Sequence, residues 1–139
     1  MNEYGLREVP KKTGQEIFQE NGLPIGIKLI DFWQWSSSDL LSNTLRGRLA
    51  EFIVASALGG TTGTRVEWDS IDIISQTGIK IEVKSSAYLQ SWKGKESRIT
   101  FDIGHKLAWD WDNNSFPANP TRTADVYVFC LLDHRDPIS

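Results

Sequence analysis

The sequence predicts an α/β domain, and three observations support this prediction. A helical hydrophobic pattern runs through "SSSDLLSNTLRGRLAEFIVASALGG", residues 36–60. Short β-rich runs follow in "IDIIS", residues 71–75, and "IKIEVKSS", residues 79–86. A later run, "ADVYVFCLL" at residues 124–132, is almost continuously apolar, as is typical of a buried central strand.

The helix is the best-defined of these elements. Ser37 or Ser38 is the expected N-cap, and Gly59-Gly60 is expected to end the helix. Glu51 is its unusual residue, because it is an acid in a stretch that is apolar on most sides. The apolar residues at helical spacing are Leu41, Leu45, Leu49, Phe52 and Ile53.

The sequence divides into an N-terminal arm and packing segment, residues 1–36, and an α/β core, residues 37–139. Residues 1–28 are polar and punctuated by proline and glycine, so they are expected to form an arm or loop, with a short helix at "GQEIFQE". The apolar stretch "IKLIDFWQW" is expected to pack on the domain. The chain ends at "DHRDPIS", soon after a core strand, which leaves open a core truncated at its C-terminus.

Composition excludes some classes of function. The 139 residues fit one soluble domain, and the net charge of -3 argues against a protein that coats nucleic acid without specificity. The charge is uneven, however, because the stretch from Lys80 to Lys106 holds six basic residues against three acidic ones. Such a basic rim suits a nucleic-acid substrate, and the alternative is an ordinary solvated face.

Targeting and metal-binding patterns are sparse. No apolar run is long enough for a membrane span, and the N-terminus has no apolar signal region. Cys130 is a lone cysteine, which favours a reducing cytoplasm. His105 and His134 have no cysteine pair near them, so a zinc site is not expected.

Charged residues inside the strand pattern indicate a site. Alternation in "IKIEVKSS" places Glu82 and Lys84 on one face and the aliphatic residues on the other. Asp72 lies on the preceding strand, and nine residues separate it from Glu82. Two carboxylates on adjacent strands, with the carbonyl of Val83, supply the oxygen ligands that Mg²⁺ prefers. Glu51 is expected to reach in from the helix, directly or through water, and Lys84 to orient a water or stabilise charge on a phosphate.

This pattern resembles the PD-(D/E)XK nuclease superfamily, the restriction-endonuclease-like fold. The resemblance rests on "RGRLAEFIVASAL", "SIDII" and "IEVKSS", and it covers residues 38–86 with "TADVYVFCLL" as a later core strand. It implies a central mixed β-sheet flanked by helices, with Mg²⁺ or Mn²⁺ held by Asp72, Glu82, Val83 and Glu51. The catalytic set that it implies is Glu51, Asp72, Glu82, Lys84 and Gln90.

Two departures from the family pattern stand out. Ile71 occupies the position of the motif's proline, which contacts no metal. The family core runs α-β-β-β-α-β, but the second core helix is not evident between residues 87 and 123. That region offers a strand-like "RITFDI", a short helical stretch at "HKLAWDW" and a long polar loop.

The resemblance implies a metal-dependent endonuclease that hydrolyses phosphodiester bonds in DNA. The lone cysteine and the lack of an apolar span fit a cytoplasmic protein with no membrane partner. Whether it forms a homodimer is left open. The alternative is a non-catalytic domain of the same fold that binds nucleic acid or protein, in which Glu82 and Lys84 form a surface ion pair worth under ~1 kcal/mol. A third reading is a generic α+β protein that carries the motif by chance. The candidate nucleic-acid contacts are Lys80, Lys93, Lys95, Arg98 and Trp92.

Overall fold

The computed structural model describes residues 9–59, 64–65, 71–92, 94–104, 115 and 122–138. These residues form an α/β structure with a two-stranded sheet, a three-stranded mixed sheet and two helices, so the predicted α/β class is confirmed. The elements are β1 (Ile17–Glu20), β2 (Leu23–Lys28), α1 (Leu29–Ser37), α2 (Asn43–Ala57), β3 (Ile73–Ile74), β4 (Lys80–Ala87) and β5 (Val126–Leu132).

The three-stranded sheet has the order β3-β4-β5. β3 pairs antiparallel with β4 through Ile73 and Ile81, and the turn between them contains Gly78 with a φ of 85°. β5 runs parallel to β4 over seven paired positions. Asp125 fixes the start of this pair, since its amide donates to the Lys80 carbonyl at 2.8 Å and its carboxylate accepts from the Lys80 amide at 3.0 Å.

The core lies between α2 and one face of this sheet. Ala50 of α2 is buried against Ile81 and Val83 of β4. This is the aliphatic face that the alternation predicts, and full burial of each such side chain contributes roughly 1.5–3 kcal/mol. The partly buried residues that complete the cluster are Val54, Ile73, Val128 and Cys130.

The start of α2 corrects the predicted N-cap. The helix begins at Asn43 with Ser42 as its N-cap, not at Ser37 or Ser38. Ser37 is instead the last residue of α1, and a turn separates the two helices. In that turn the Asp39 carboxylate accepts a hydrogen bond from the Leu41 amide at 3.0 Å. A local side-chain bond of this kind competes with helix formation.

The N-terminal segment also differs from the prediction. A β-hairpin, β1–β2, stands where an arm or a short helix was expected, and Asn21-Gly22 forms its turn with positive φ at both residues. Gly26, with a φ of 79°, lies in the part of β2 that faces a bulge in the pairing. The stretch "IKLIDFWQW" contributes α1, but α1 contains no buried residue.

Three further expectations concern the C-terminal half. Residues 98–103, "RITFDI", form no regular strand. β5 lies at an edge of the described sheet, whereas β4 is its central strand. The region 105–111, where a short helix was considered, lies outside the described residues. Neither of the two described helices is long and apolar enough to cross a membrane.

Candidate active site

Asp72 lies against the middle of β4. It immediately precedes β3, and its Oδ2 accepts a hydrogen bond from the Val83 amide at 2.7 Å. The antiparallel register of β3 and β4, extended by one residue from the Ile73–Ile81 pair, places Asp72 opposite Glu82. The fold therefore brings the Asp72 carboxylate to the peptide unit that joins Glu82 and Val83.

Glu82 and Lys84 form an ion pair on the face of β4 opposite the aliphatic residues. Lys84 Nζ lies 2.9 Å from Glu82 Oε1, and the side chains are 32% and 5% exposed, respectively. A carboxylate this buried requires a partner, because an uncompensated buried charge costs several kcal/mol. Glu82 and Lys84 lie on one face of β4, as the alternation in the sequence predicts. The pair is more buried than the surface pair considered as the alternative.

Aromatic residues of β5 flank this pair. In the parallel register Tyr127 is the neighbour of Glu82, and Phe129 is the neighbour of Lys84. Phe101 stacks on Phe129 with ring centroids 4.6 Å apart, so residues around Phe101 cross this face of the sheet. Sequence reasoning missed Tyr127 and Phe129, although their period-two spacing was a visible signal. The register that aligns them with β4 is a tertiary property.

Glu51 does not join Asp72 and Glu82 as predicted. Its carboxylate accepts two hydrogen bonds from Arg65, from Nε at 2.6 Å and from Nη2 at 3.1 Å. The reason is topological, because α2 covers the aliphatic face of β4 while Glu82 projects from the other face. Among the residues that the structure describes, no three His, Cys, Asp or Glu side chains lie together as a metal-binding group.

Gln90 lies in a polar network with Arg46 instead of beside Glu82 and Lys84. Its Oε1 accepts from Arg46 Nη1 at 3.5 Å, and its Nε2 donates to Ser97 Oγ at 3.1 Å and the Ala87 carbonyl at 3.4 Å. This network orders the loop after β4. Gln90 therefore makes no hydrogen bond to Asp72, Glu82 or Lys84.

Arg46 is the residue that organises this network, although it lies outside the motif that predicted the site. It is 7% exposed, and desolvation lowers its pKa from the usual arginine value. Its hydrogen-bond acceptors are neutral, namely Ser85 Oγ, the Leu41 carbonyl, Gln90 Oε1 and Asn43 Oδ1. The signal in the sequence was helical spacing, since Arg46, Ala50 and Val54 follow one another at four-residue intervals on the buried side of α2.

The candidate nucleic-acid contacts lie mostly on the surface. Lys80, Lys95 and Arg98 are exposed, and Trp92 is 62% exposed. Lys93 lies outside the described residues. These positions are accessible to a polyanion.

The donor set at β4 suits a hard cation. Asp72 and Glu82 supply carboxylate oxygens from neighbouring positions, and the Val83 amide donates to the Asp72 carboxylate between them. Mg²⁺ is commonly bound by one or two carboxylates with waters and substrate phosphate, so two carboxylates satisfy this minimum without Glu51. Carboxylates without cysteine or histidine disfavour a structural zinc site.

Comparison with known protein families gives a match over most of the chain. The family model described as bacteriophage T4 endonuclease IV matches residues 29–138, from the start of α1 to beyond β5. No curated protein and no solved structure matches the chain. The matched range contains Asp72, Glu82 and Lys84, and it leaves the β1–β2 hairpin outside.

Proposed function

Because the chain belongs to the bacteriophage T4 endonuclease IV family, we propose that it is a metal-dependent endonuclease that hydrolyses phosphodiester bonds in DNA. The observation that carries the proposal is the buried Glu82, which pairs with Lys84 at 2.9 Å while Asp72, directly before the neighbouring strand β3, accepts from the next amide of β4. An ion pair that only stabilised the fold would not need a second carboxylate, that of Asp72, beside the peptide group that joins Glu82 and Val83.

Asp72 and Glu82 are the residues that would hold Mg²⁺ or Mn²⁺, together with the Val83 carbonyl. A metal ion bound there would lower the pKa of a water and neutralise charge on the phosphate. The protein fixes the positions of the Asp72 and Glu82 carboxylate oxygens. Asp72 is oriented by the Val83 amide, and Glu82 is oriented by Lys84.

Lys84 would stabilise negative charge as the phosphodiester bond is cleaved. Its side chain is 32% exposed, whereas the carboxylate that it contacts is 5% exposed, so Lys84 links the buried acid to the surface. A cation at this position can contact a phosphate oxygen without leaving the strand. Charge stabilisation of this kind is worth most where water is excluded, and the Glu82 carboxylate that Lys84 contacts is 5% exposed.

These roles correspond to a PD-(D/E)XK-type site reduced to Asp72, Glu82 and Lys84. In this proposal Glu51 supports the site only indirectly, from α2 and through its pairing with Arg65. Gln90 supports it indirectly too, through its bond to Arg46 in the loop after β4. Neither residue needs to touch the metal.

The proposal is tested by DNA cleavage and metal binding measured on the same protein. We expect the wild type to cleave DNA with Mg²⁺ or Mn²⁺ and to bind Mn²⁺ in calorimetry. Glu82→Gln should lose both properties, because the amide keeps the size of the side chain but not its charge. Glu96→Gln, at an exposed position after β4, is the matched control and should retain both.

The outcome can also favour the non-catalytic alternative. A wild type that binds no Mn²⁺ and cleaves no DNA in any divalent cation contradicts the enzyme proposal. If that protein still binds DNA, and Lys84→Ala weakens the binding, the domain is a nucleic-acid-binding module.

A further inference from the structure

We propose that the loop after β4 is ordered in advance to bind DNA, with Trp92 stacking on a base and Arg46 as the residue that positions the loop. This loop, called here the stacking loop, consists of residues 88–97, of which the structure describes 88–92 and 94–97. The inference rests on the proposed function, because its ligand is the DNA that the nuclease would cleave. It assigns contact with a base to a side chain outside the proposed metal site.

The stacking loop is closed at its base and starts near the proposed site. The Ser97 amide donates to the Tyr88 carbonyl at 2.8 Å, and Gln90 Nε2 donates to Ser97 Oγ at 3.1 Å. Tyr88 directly follows β4 and is four residues from Lys84. At about 3.3 Å per residue the two lie no more than about 13 Å apart along the chain, roughly the rise of four nucleotides in B-form DNA. One DNA strand can therefore contact both Lys84 and the loop.

Two segments outside β4 anchor the stacking loop. In the turn before α2, the Asp39 carboxylate accepts a hydrogen bond from the Ser91 side chain, which is the main cause of a lowered Asp39 pKa. In the segment after β5, the Arg135 guanidinium lies 3.7 Å from the centroid of the Tyr88 ring. A loop that is already ordered loses less conformational entropy when it binds a ligand.

Arg46 joins the stacking loop to the core. It is 7% exposed, and its guanidinium donates to the Leu41 carbonyl, to Ser85 Oγ of β4 and to Gln90 Oε1 of the loop. One buried side chain thus fixes the start of the loop relative to both α2 and β4. None of its hydrogen-bond acceptors is a carboxylate, so its positive charge is not neutralised within this network and favours an anionic ligand at the loop.

Trp92 presents aromatic surface to solvent from this ordered loop. It is 62% exposed. Its indole lies beside Gly94, because a Cβ at Gly94 would be 3.8 Å from Trp92 Cδ1. The backbone of the loop therefore supports the ring on one side. Exposed aromatic rings in positively charged grooves bind nucleic acid by stacking on bases.

Charge around Trp92 favours a polyanion over an apolar partner. Residues 88–98 contain three basic residues and one acidic one, a net charge of +2, so the rest of the chain carries -5 of its total of -3. Lys95 and Arg98 are both exposed. Trp35 is 85% exposed, but Asp31 is the one charged residue of its helix, so Trp35 lacks the basic neighbours in sequence that Trp92 has. Two copies of the positively charged loop would repel each other.

The first experiment measures DNA affinity without cleavage. Fluorescence anisotropy in EDTA compares labelled oligothymidylate with an abasic oligonucleotide of the same length. We expect Trp92→Ala to weaken binding of oligothymidylate by roughly 5- to 150-fold, the loss of one stacked base, and to leave binding of the abasic probe unchanged. Trp92→Phe should retain most of the affinity. Lys95→Ala should weaken binding of both probes equally, because a lysine contacts phosphate.

Phe18→Ala is the matched control, because it removes an exposed aromatic side chain of β1 outside the family match. It should bind both probes as the wild type does. Equal weakening of both probes by Trp92→Ala, or no weakening of either, overturns the inference. A wild type that binds neither probe overturns it as well.

The second experiment tests whether Arg46 positions the loop. Because Arg46 is buried, its replacement can unfold the chain, so Gln90→Ala removes the side chain through which Arg46 holds the loop. We expect weaker oligothymidylate binding with an unchanged thermal transition. In a Trp92→Ala background Gln90→Ala should have no further effect, since both changes act through the same stacked base. Additive effects of the two substitutions would contradict the positioning role.

The outcome for the stacking loop is distinguishable from the outcome for the nuclease. A protein that shows the base-dependent loss in Trp92→Ala but cleaves no DNA retains the stacking loop and contradicts the enzyme proposal. A protein that cleaves DNA without the base-dependent loss retains the enzyme proposal and overturns the stacking loop.

Discussion

At the residue scale, the chemistry depends on how β4 presents alternate side chains. Glu82 is held by Lys84 on one face, and Ile81 and Val83 are buried on the other. Asp72 joins them through the Val83 amide at 2.7 Å. A shift of one residue in the register of β4 would exchange the charged and aliphatic faces, so the core and the candidate site depend on the same register.

Lys84→Ala is the substitution that separates charge stabilisation from metal binding. We expect cleavage to fall by about 10²–10³-fold, as when one charge-stabilising donor is lost, while Mn²⁺ binding is retained because Lys84 supplies no ligand oxygen. Steady-state cleavage and calorimetry measure the two effects. Lys12→Ala removes an exposed lysine outside the family match and serves as the control.

The ion pair with Glu82 requires a check on folding. Lys84→Arg keeps the positive charge, so it should retain the fold and part of the activity. Equal loss of Mn²⁺ binding and cleavage in Lys84→Ala, with the thermal transition unchanged, would contradict the proposed role.

At the element scale, the hairpin is preceded by a turn that a carboxylate organises. Glu16 accepts hydrogen bonds from the Thr13 amide and the Gly14 amide, both at 2.8 Å. The bond from the Thr13 amide is the main cause of a lowered Glu16 pKa. The Glu16 carbonyl also accepts from the Leu29 amide, so this turn connects β1 to the start of α1.

The Glu16 pKa predicts a pH dependence at the hairpin. Because the folded pKa of Glu16 lies below the ordinary glutamate value of 4.5, the stabilisation of this turn by the Glu16 carboxylate is complete above that pH. It is lost as pH falls through the folded pKa. An NMR titration of the Thr13 and Gly14 amides should show a midpoint below 4.5. Glu16→Gln should abolish this titration, and a wild-type midpoint above 4.5 would contradict the assigned hydrogen bonds.

At the scale of the whole molecule, stability depends on a small core between α2 and β4. The buried hydrophobic residues in the described part of the chain are Ala50, Ile81, Val83 and Ala87. With so few buried side chains, each contributes a large share of the free energy of unfolding.

Ile81→Ala tests this dependence. We expect the free energy of unfolding to fall by about 2–4 kcal/mol, because a buried isoleucine is removed and a cavity remains between α2 and the sheet. Ile74→Ala, at a position that is 62% exposed, is the matched control and should change stability little. Urea denaturation measures both variants, and equal effects would show that the core lies elsewhere.

The sequence by itself determined the local features of this protein. Period-two alternation placed Glu82 and Lys84 opposite Ile81 and Val83, and helical spacing with Gly59 defined most of α2. The α/β class followed from these patterns, as did the nuclease character that family membership supports. Such features depend on residues close in sequence, whose geometry is set by backbone periodicity. The PD-(D/E)XK assignment and the metal stay predictions.

Only the tertiary structure decided which distant groups meet. It paired Glu51 with Arg65, joined Gln90 to Arg46, and set Tyr127 beside Glu82 in a parallel register. It also formed a hairpin from a segment whose glycines and proline had indicated a loop, because positive φ at Asn21 and Gly22 suits a tight turn as well as a flexible one. Contacts of this kind depend on which face of β4 each element covers, and local periodicity carries no information about that choice.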